Sequence, residues 1–275
     1  MTTNESFRDT AMEQRLQSAL NNGHNVWVVG DVHGHHLTLQ ALTERLDLSE
    51  NDWVVFLGDL IDRGPDSFTV VEMVKQHPRF VSVTGNHEAM MVQHFHRHAI
   101  ERPNHEVALW YRNGGAETVF AYEQAHVNGN GEEDTDAMYA RVAEHTEWMA
   151  SLPSHIVLDQ WRLVHAGYAP GRALDEQSND EYLWIRDAFH RAKQPVDSKR
   201  TVVFGHTPTA GLPGFTSAQW GAVWNSPLRL DDGRPAAVGI DTCLYHRHDG
   251  RRVLTAYNLQ TGATVQQDRV ELRSR

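Results

Sequence analysis

The sequence contains little cysteine, no long apolar run and no surplus of positive charge. Cys243 is the one cysteine among 275 residues, so an internal disulfide is excluded. No apolar run approaches the ~18 residues that cross a bilayer, and the polar first residues lack an apolar signal core. The formal net charge of −11 argues against a broad nucleic-acid surface. These absences predict a cytoplasmic protein with no membrane or nucleic-acid partner.

The remaining composition is ordinary for a globular protein, apart from its 18 histidines. Hydrophobic residues make up 40% of the chain and charged residues 22%, and the length is sufficient to bury a large core. No internal repeat or clear linker divides the chain. We therefore expect a single domain over residues 1–275.

The apolar pattern of the first ninety residues predicts alternating helices and strands. A helix carries Phe7, Met12, Leu16 and Leu20 before Asn22-Gly23, and two later helices are centred on Leu42 and on residues 70–74. Three buried strands are predicted at Asn25–Val29, Trp53–Leu57 and Phe80–Thr84. The β-α-β-α-β order favours a parallel sheet with right-handed crossovers.

The pattern changes after the third strand. Residues 88–150 are mostly helical in pattern and predict a helical cap inserted into the domain, with Trp110 and Trp148 in its core. A further helix is expected near Asp180–Arg191. The rest of the second half is rich in predicted strands, namely Ile156–Leu158, Trp161–Val164, Val202–Phe204, Ala236–Ile240, Val253–Tyr257 and Ala263–Gln267.

Polar side chains capable of binding metal follow the ends of five predicted strands. Asp31, Asp59 and Asn86 each follow a glycine at the end of one of the first three strands, and His165 and His206 end two later strands. Ligands bind at the carboxyl ends of strands in open α/β sheets, so we expect these side chains to meet at one rim. Any one of these segments could be an ordinary turn. Five of them in succession, each after a predicted strand, favour a metal-binding site.

The types of ligand indicate the metal and the chemistry. Carboxylate, carboxamide and imidazole groups without thiolate suit Mn, Fe or Zn. Two divalent ions about 3.5–4 Å apart can clamp the attacking and leaving oxygens of a phosphoryl group, and Asp59 is our candidate for the shared carboxylate. Asp31 and His33 are two residues apart, so in an extended chain both would face one side.

Five segments resemble the phosphoprotein phosphatase family of metallophosphoesterases, in its bacterial and phage branch: Gly30–Gly34, Gly58–Gly64, Gly85–Glu88, Val164–Gly167 and Gly205-His206. The similarity in order extends from residue 25 to about residue 260. It implies a calcineurin-like αββα sandwich of α/β or α+β class, in which two packed β-sheets are flanked by helices and carry a helical insertion.

The resemblance also implies two metal sites that share Asp59. The first would be held by Asp31, His33 and Asp59, and the second by Asp59, Asn86, His165 and His206. The metal is expected to be Mn²⁺, with Fe, Zn or Co as alternatives. A water or hydroxide bridging the two ions would attack phosphorus in line, without a phospho-enzyme.

Four further residues would handle the proton and the phosphate. By resemblance, His87 would protonate the leaving oxygen, and Asp62 would orient His87. Arg63 would bind the phosphate through its planar fork, and Arg186 is the best match for a second arginine. Cys243, in Asp241-Thr242-Cys243 where similar sequences often carry Asp-Thr-Gly, is expected to be a small buried residue rather than a nucleophile.

Three functions remain open at this point. The resemblance favours a serine/threonine protein phosphatase, with or without activity on phosphotyrosine, whose substrate is a phosphoprotein or a small phosphorylated molecule. A symmetrical dinucleoside tetraphosphate hydrolase shares the metal ligands; Glu88 favours the first function, because such hydrolases more often carry Asp there. An inactive metal-binding scaffold is the third. A Rossmann dinucleotide binder is disfavoured, since no GxGxxG follows the first strand. Oligomeric state is left open.

Overall fold

The computed structural model describes residues 8–98, 109–246 and 250–271, without the side chains of residues 96–98. Phe7 and residues 99–108 of the predicted cap lie outside them. The helices are α1 Thr10–Asn21, α2 His36–Arg45, α3 Ser67–Gln76, α4 Asn86–His98, α5 Ala116–Ala125, α6 Thr135–Ala150, α7 Asn179–Trp184 and α8 Asp187–His190. The strands are β1 Val26–Val29, β2 Trp53–Phe56, β3 Phe80–Ser82, β4 His155–Val157, β5 Trp161–Val164, β6 Thr201–Phe204, β7 Trp224–Asn225, β8 Ala237–Gly239, β9 Val253–Asn258 and β10 Thr264–Asp268.

The strands form two five-stranded sheets of mixed direction. The first has the order β10-β9-β1-β2-β3, with β1, β2 and β3 parallel as predicted and β9 antiparallel to β1. The second has the order β4-β5-β6-β8-β7, with β5, β6 and β8 parallel. The two residues of β7 are too few to give a sequence pattern, and this strand was not predicted.

Alternate residues of the central strands face two different apolar layers. Val28 of β1 packs in a buried cluster with Val203 and Val238 of the second sheet, so the sheets pack face to face. Val29 and Phe56 point the other way, into a cluster formed with the helices. Successive side chains of a strand point to opposite faces of the sheet, so both faces of these strands are buried. The expected sandwich of two sheets flanked by helices is confirmed.

The described part of residues 88–150 is mostly helical and shares the core of the first sheet. Trp110, Tyr122 and Met149 are buried in the same cluster as Phe56. The turn before α5 is a π-helical turn, Tyr111–Gly115. The helix α6 begins where Asp134 accepts a hydrogen bond from the backbone N–H of Ala137, as an N-cap aspartate should.

The prediction of one helix near Asp180–Arg191 was wrong in its continuity, because the structure has two short helices there. The chain leaves the helical conformation at Ile185, whose ψ is 142°, and Arg186 has φ −133° and ψ −104°. Arg186 is therefore held at a break between α7 and α8 rather than on a helix face. Within the described ranges, no helix is both long and apolar enough to cross a membrane.

Candidate metal centre and phosphate site

Four donor atoms from four loops at the strand ends meet in one buried cluster, which we call the Asn86 group (Asp59, Asn86, His165, His206). Nε2 of His165 lies 2.8 Å from Oδ1 of Asn86, 3.1 Å from Nδ1 of His206 and 3.3 Å from Oδ1 of Asp59. Ligands at ordinary metal distances lie ~3 Å apart around a single ion. The Asn86 group therefore has the spacing of a divalent metal site.

The other oxygen of Asp59 faces a second cluster, the His33 group (Asp31, His33, Asp59). Nε2 of His33 lies 3.6 Å from Oδ2 of Asp59 and 4.0 Å from Oδ2 of Asp31. All three side chains are buried. Asp59 thus presents one oxygen to each group, which is the placement that a shared carboxylate requires.

Backbone carbonyls orient two of the imidazoles in these groups. Nδ1 of His33 lies 2.8 Å from the carbonyl oxygen of Ile61, and Nδ1 of His165 lies 2.7 Å from that of Leu57. A carbonyl can only accept, so each Nδ1 must carry the proton and each Nε2 presents a lone pair to its group. Burial lowers the pKa of His33, His165 and His206, which favours the neutral form that binds metal.

Buried carboxylates give the site an excess of negative charge. Burial and the charges of Asp241 and Asp59 raise the pKa of Asp31 well above its usual value. Burial likewise raises the pKa of Asp241 to about 6, and its Oδ2 has no hydrogen-bond partner in the described part of the chain. Divalent cations would offset this repulsion, so the donor set fits the metals that the sequence predicts.

Arg63 lies between an imidazole and an aromatic ring. Its Nη1 donates to Nε2 of His33 at 2.7 Å, and its Cζ lies 4.3 Å from the centre of the Tyr245 ring. Nε2 of His33 has one lone pair, so Arg63 and a metal ion compete for it. The stacking on Tyr245 gives the guanidinium a second support that such competition does not remove.

His87 and Asp62 form a buried pair next to the metal ligands. Nδ1 of His87 lies 2.6 Å from Oδ2 of Asp62, and Nε2 of His87 lies 3.7 Å from Oδ2 of Asp59. That Nε2 has no hydrogen-bond partner among the residues described here. Burial lowers the pKa of His87, but Asp59 and Asp62 outweigh it and leave the pKa raised.

The position of His87 would also allow it to bind metal. Donor atoms of His33, Asp59 and His87 lie within 4.8 Å of one another. A metal ligand must be deprotonated, however, and the Asp62 contact favours the protonated imidazole. The contact with Asp62 therefore makes His87 less suited to binding metal than His33, His165 and His206, whose pKa values are lowered.

Arg186, the best match for the second arginine that the resemblance implies, lies beside the Asn86 group. Its Nη1 donates to Oγ1 of Thr207 at 2.8 Å and approaches the carbonyl oxygen of His206 at 3.4 Å. The break between α7 and α8 is what brings it there. The structure thus gathers all ten predicted site residues, Asp31, His33, Asp59, Asp62, Arg63, Asn86, His87, His165, Arg186 and His206, while their individual roles stay predictions.

The backbone explanation for Asp31 and His33 was wrong. His33 has φ 45°, in the left-handed region, so the chain is turning rather than extended at this point. Asp59 (φ 52°) and His206 (φ 61°) also adopt this region, which is costly for residues with a side chain and concentrates at functional sites. Turns, not strand alternation, aim these ligands at one point.

Comparison with known proteins identifies the family. The family model described as calcineurin-like phosphoesterase matches residues 24–235. The chain belongs to this family. It is a metallophosphoesterase, of a family of hydrolases that use divalent metal ions.

Individual relatives differ in the substrate that their names give. The chain is 26% identical over 235 residues to serine/threonine-protein phosphatase 1 of Salmonella typhimurium, covering 82% of this chain and 98% of that protein. It is 34% identical over 83 residues to the symmetrical bis(5'-nucleosyl)-tetraphosphatase of Coxiella burnetii, covering 30% and 28%. A solved structure named as a candidate diadenosine tetraphosphatase is 22% identical, with TM-score 0.60 over 90% of this chain and 95% of that one.

The structure adds residues to the site of this phosphoesterase that sequence reasoning missed. Asp241 follows a predicted strand, so the strand-end rule that found Asp59 could have found it. Trp110 was expected only in the cap core, and it is buried there, but it also contacts Asp62. Tyr245 and Thr118 carried no sequence signal. Cys243, at the position where similar sequences often carry glycine, has φ 71°. Its thiol is buried, as predicted.

Glu88 was used only to compare substrates, yet it supports the metal-ligand loop. Its carboxylate accepts hydrogen bonds from the backbone N–H groups of Asp59 (2.8 Å), Leu60 (2.8 Å) and Gly85 (2.9 Å). Burial and the charge of Asp59 raise the pKa of Glu88 to about 7. The side chain joins the end of β2 to the start of α4.

We expect Glu88→Gln to destabilise the protein. The amide nitrogen of glutamine cannot accept, so at least one buried backbone N–H loses its partner, at a cost of about 1–3 kcal/mol. The free energy of unfolding should be measured by urea denaturation. Glu44→Gln, an exposed change on α2, is the matched control and should stay within about 0.5 kcal/mol of the parent protein. Equal stability of both variants would show that Glu88 does not support the loop.

Proposed function

We propose that this phosphoesterase is a metal-dependent protein phosphatase that hydrolyses phosphoserine and phosphothreonine, with or without activity on phosphotyrosine. The observation that carries the proposal is the Asp62–His87 pair beside two groups of metal ligands. Nδ1 of His87 is bound to Asp62, and its Nε2 faces the same space as the shared carboxylate of Asp59. A buried acid at this position can serve an ester whose leaving oxygen needs a proton.

The donor groups define where metal would bind. The His33 group would hold one ion and the Asn86 group a second, with Mn²⁺ as the expected metal and Fe, Zn or Co as alternatives. When bound, the two ions would supply Lewis-acid charge that polarises a phosphoryl group and lowers the pKa of water for in-line attack.

The chain's own side chains then complete the reaction. Arg63, stacked on Tyr245, and Arg186, held by Thr207, would bind phosphate oxygens through planar forks. His87 would give the proton on Nε2 to the leaving oxygen as the bond from phosphorus to that oxygen breaks. Asp62, which holds Nδ1, would stabilise the charged imidazole before transfer.

Leaving-group chemistry favours a phosphomonoester over a dinucleoside polyphosphate. The alkoxide of serine or threonine is a strong base and leaves only with a proton. A phosphate leaving group, with a second pKa of ≈ 6, is stable as an anion near neutral pH and gains less from an acid. The likeness to the Salmonella protein phosphatase over 98% of its length also supports this choice. Dinucleoside tetraphosphate hydrolysis is the second candidate, supported by the Coxiella relative.

A direct assay distinguishes the two substrates. With Mn²⁺ supplied, we expect kcat/KM for a phosphoserine peptide to exceed that for diadenosine tetraphosphate. The assay should compare both substrates and a phosphodiester at the same metal and enzyme concentration. A rate that is orders of magnitude higher on the dinucleotide would contradict the protein-phosphatase assignment.

The same assay addresses an inactive scaffold. That alternative predicts binding of metal without turnover of any ester. Intact Asp62, Arg63 and His87 argue against it, since a scaffold would not need a buried proton donor. Absence of Mn²⁺-dependent turnover on an aryl phosphate would support the scaffold and contradict the proposed function.

A further inference from the structure

Two side chains of the cap contact the carboxylate that holds His87. Nε1 of Trp110 donates to Oδ2 of Asp62 at 2.9 Å and to Oδ1 at 3.2 Å. Oγ1 of Thr118 lies 2.6 Å from Oδ1 of Asp62. Asp62, Trp110 and Thr118 are all fully buried. Besides His87 itself, two side chains of the cap thus hold the carboxylate of Asp62.

The proton of Thr118 must point at Asp62. The hydroxyl has one proton and two acceptor positions. It accepts from the backbone N–H of Asp62 at 3.0 Å, and Oγ of Ser67 lies 3.0 Å away. The carboxylate can only accept, so the single proton of Thr118 is donated to Asp62 rather than to Ser67. The hydroxyl therefore binds Asp62 through both its backbone and its side chain.

The cap also supports the backbone beside Asp62. The carbonyl oxygen of Gly114 accepts from the N–H of Arg63 at 3.2 Å. Gly114 has φ 107°, and a Cβ added there would lie 2.6 Å from the backbone nitrogen of Arg63. This glycine lets the π-helical turn that follows Trp110 rest directly on the loop.

That loop needs support from outside itself. Asp62 has φ 72° and Arg63 has φ 67°, so two consecutive residues with side chains occupy the left-handed region. Such backbone costs of order 1–3 kcal/mol per residue and persists only where the surroundings hold it. Trp110, Gly114 and Thr118 of the cap all form hydrogen bonds with these two residues.

We infer that Trp110 and Thr118 are positioning residues for proton donation by His87. They hold the carboxylate of Asp62, which holds Nδ1 of His87, so that Nε2–H points at the leaving oxygen. Water adds to phosphorus and loses one proton to solvent, while the bond from phosphorus to the leaving oxygen breaks. His87 supplies the proton that makes the leaving group an alcohol or phenol, and it regains a proton from solvent afterwards. The inference rests on the proposed function, because it requires hydrolysis of a phosphomonoester.

The inference is tested by the dependence of rate on the leaving group. Phenyl phosphate has a poor leaving group, and we expect kcat for this ester to fall about 10-fold in Trp110→Phe and Thr118→Val. That loss is a part of the 10²–10⁴-fold acceleration that a general acid supplies. Dinitrophenyl phosphate has a leaving group that departs readily without a proton, so we expect its kcat to change by less than about 3-fold. KM should stay unchanged for both esters. General loss of structure or of metal would instead slow both esters equally.

Matched variants separate position from packing. Thr118→Ser keeps the hydroxyl and should restore the rate on phenyl phosphate that Thr118→Val loses. Trp148→Phe makes the same change at a half-buried tryptophan of α6 and should not alter the ratio of the two rates. Metal content and the unfolding midpoint should be measured for every variant. If Trp110→Phe does not fold, the Thr118 pair carries the test alone.

A double-mutant cycle gives the strictest test. If Trp110 and Thr118 act through His87, their substitution should change the phenyl phosphate rate by less than about 2-fold in a His87→Asn background. A similar loss with and without His87, or equal losses on both esters, would overturn the inference while leaving the proposed function intact. If the parent enzyme hydrolyses neither ester with Mn²⁺, the proposed function fails instead.

Discussion

Asp59→Asn should weaken metal binding at both groups of ligands at once. One oxygen of Asp59 lies with His165 and the other with His33. An amide replaces one of these oxygens with an N–H₂ group, which repels a cation, and removes the negative charge that both ions would share. We expect the affinity for metal to fall more than the ~10–100-fold caused by loss of an outer-shell partner, and activity to fall with it.

Metal content after dialysis and activity across a Mn²⁺ titration measure this effect. Asp66→Asn is the matched control, because Asp66 caps α3 in the same region and asparagine is also a good N-cap. It should keep parent metal content and activity. Full occupancy and full activity in Asp59→Asn would show that Asp59 is not the shared carboxylate.

His87→Asn should reduce turnover by roughly 10²–10⁴-fold while leaving metal bound, because a general acid is lost but not a ligand. The expectation depends on Nδ1 being held by Asp62 and on the raised pKa of the imidazole. The loss should be largest for esters with basic leaving groups. It sets the upper limit for the effects expected of Trp110→Phe and Thr118→Val.

Metal content distinguishes the two roles that distance alone allows for His87. If His87 is a ligand with His33 and Asp59, His87→Asn should lose metal, and added Mn²⁺ should recover activity. If it is the acid, metal content should equal that of the parent and added Mn²⁺ should not restore the rate. His24→Asn, at a half-buried position between α1 and β1 and outside the five motifs, controls for loss of an imidazole.

The alternation of apolar segments was sufficient to predict the first three strands, their parallel pairing and the helices between them. Burial on both faces makes such strands short continuous apolar runs, which are visible without a structure. The break at Arg186 and the short strand β7 were not visible, since neither is long enough to repeat a pattern. The left-handed turns at His33 and His206 were also missed, because non-glycine residues rarely adopt them.

The candidate metal ligands could be predicted because most of them directly follow a strand along the chain. Asp31, Asp59 and Asn86 lie at successive strand ends, and parallel strands bring those ends to one rim. Asp241 also follows a strand, but in the sequence analysis only its neighbour Cys243 was considered for a role. Residue type and order were therefore enough to indicate the donor residues, whereas the two donor groups and the Asp62–His87 pair were predicted from the family resemblance.

What only the tertiary structure decided is how the cap meets this site. Trp110 and Thr118 lie 48 and 56 residues from Asp62 along the chain, and no local pattern links them. Their hydrogen bonds exist because α5 and the turn before it pack on the loop that carries Asp62. The sequence by itself determined the metallophosphoesterase chemistry, since that depends on ligands at strand ends. The hydrogen bonds from Trp110 and Thr118 to Asp62 depend on packing between distant segments, which follows from the three-dimensional fold alone.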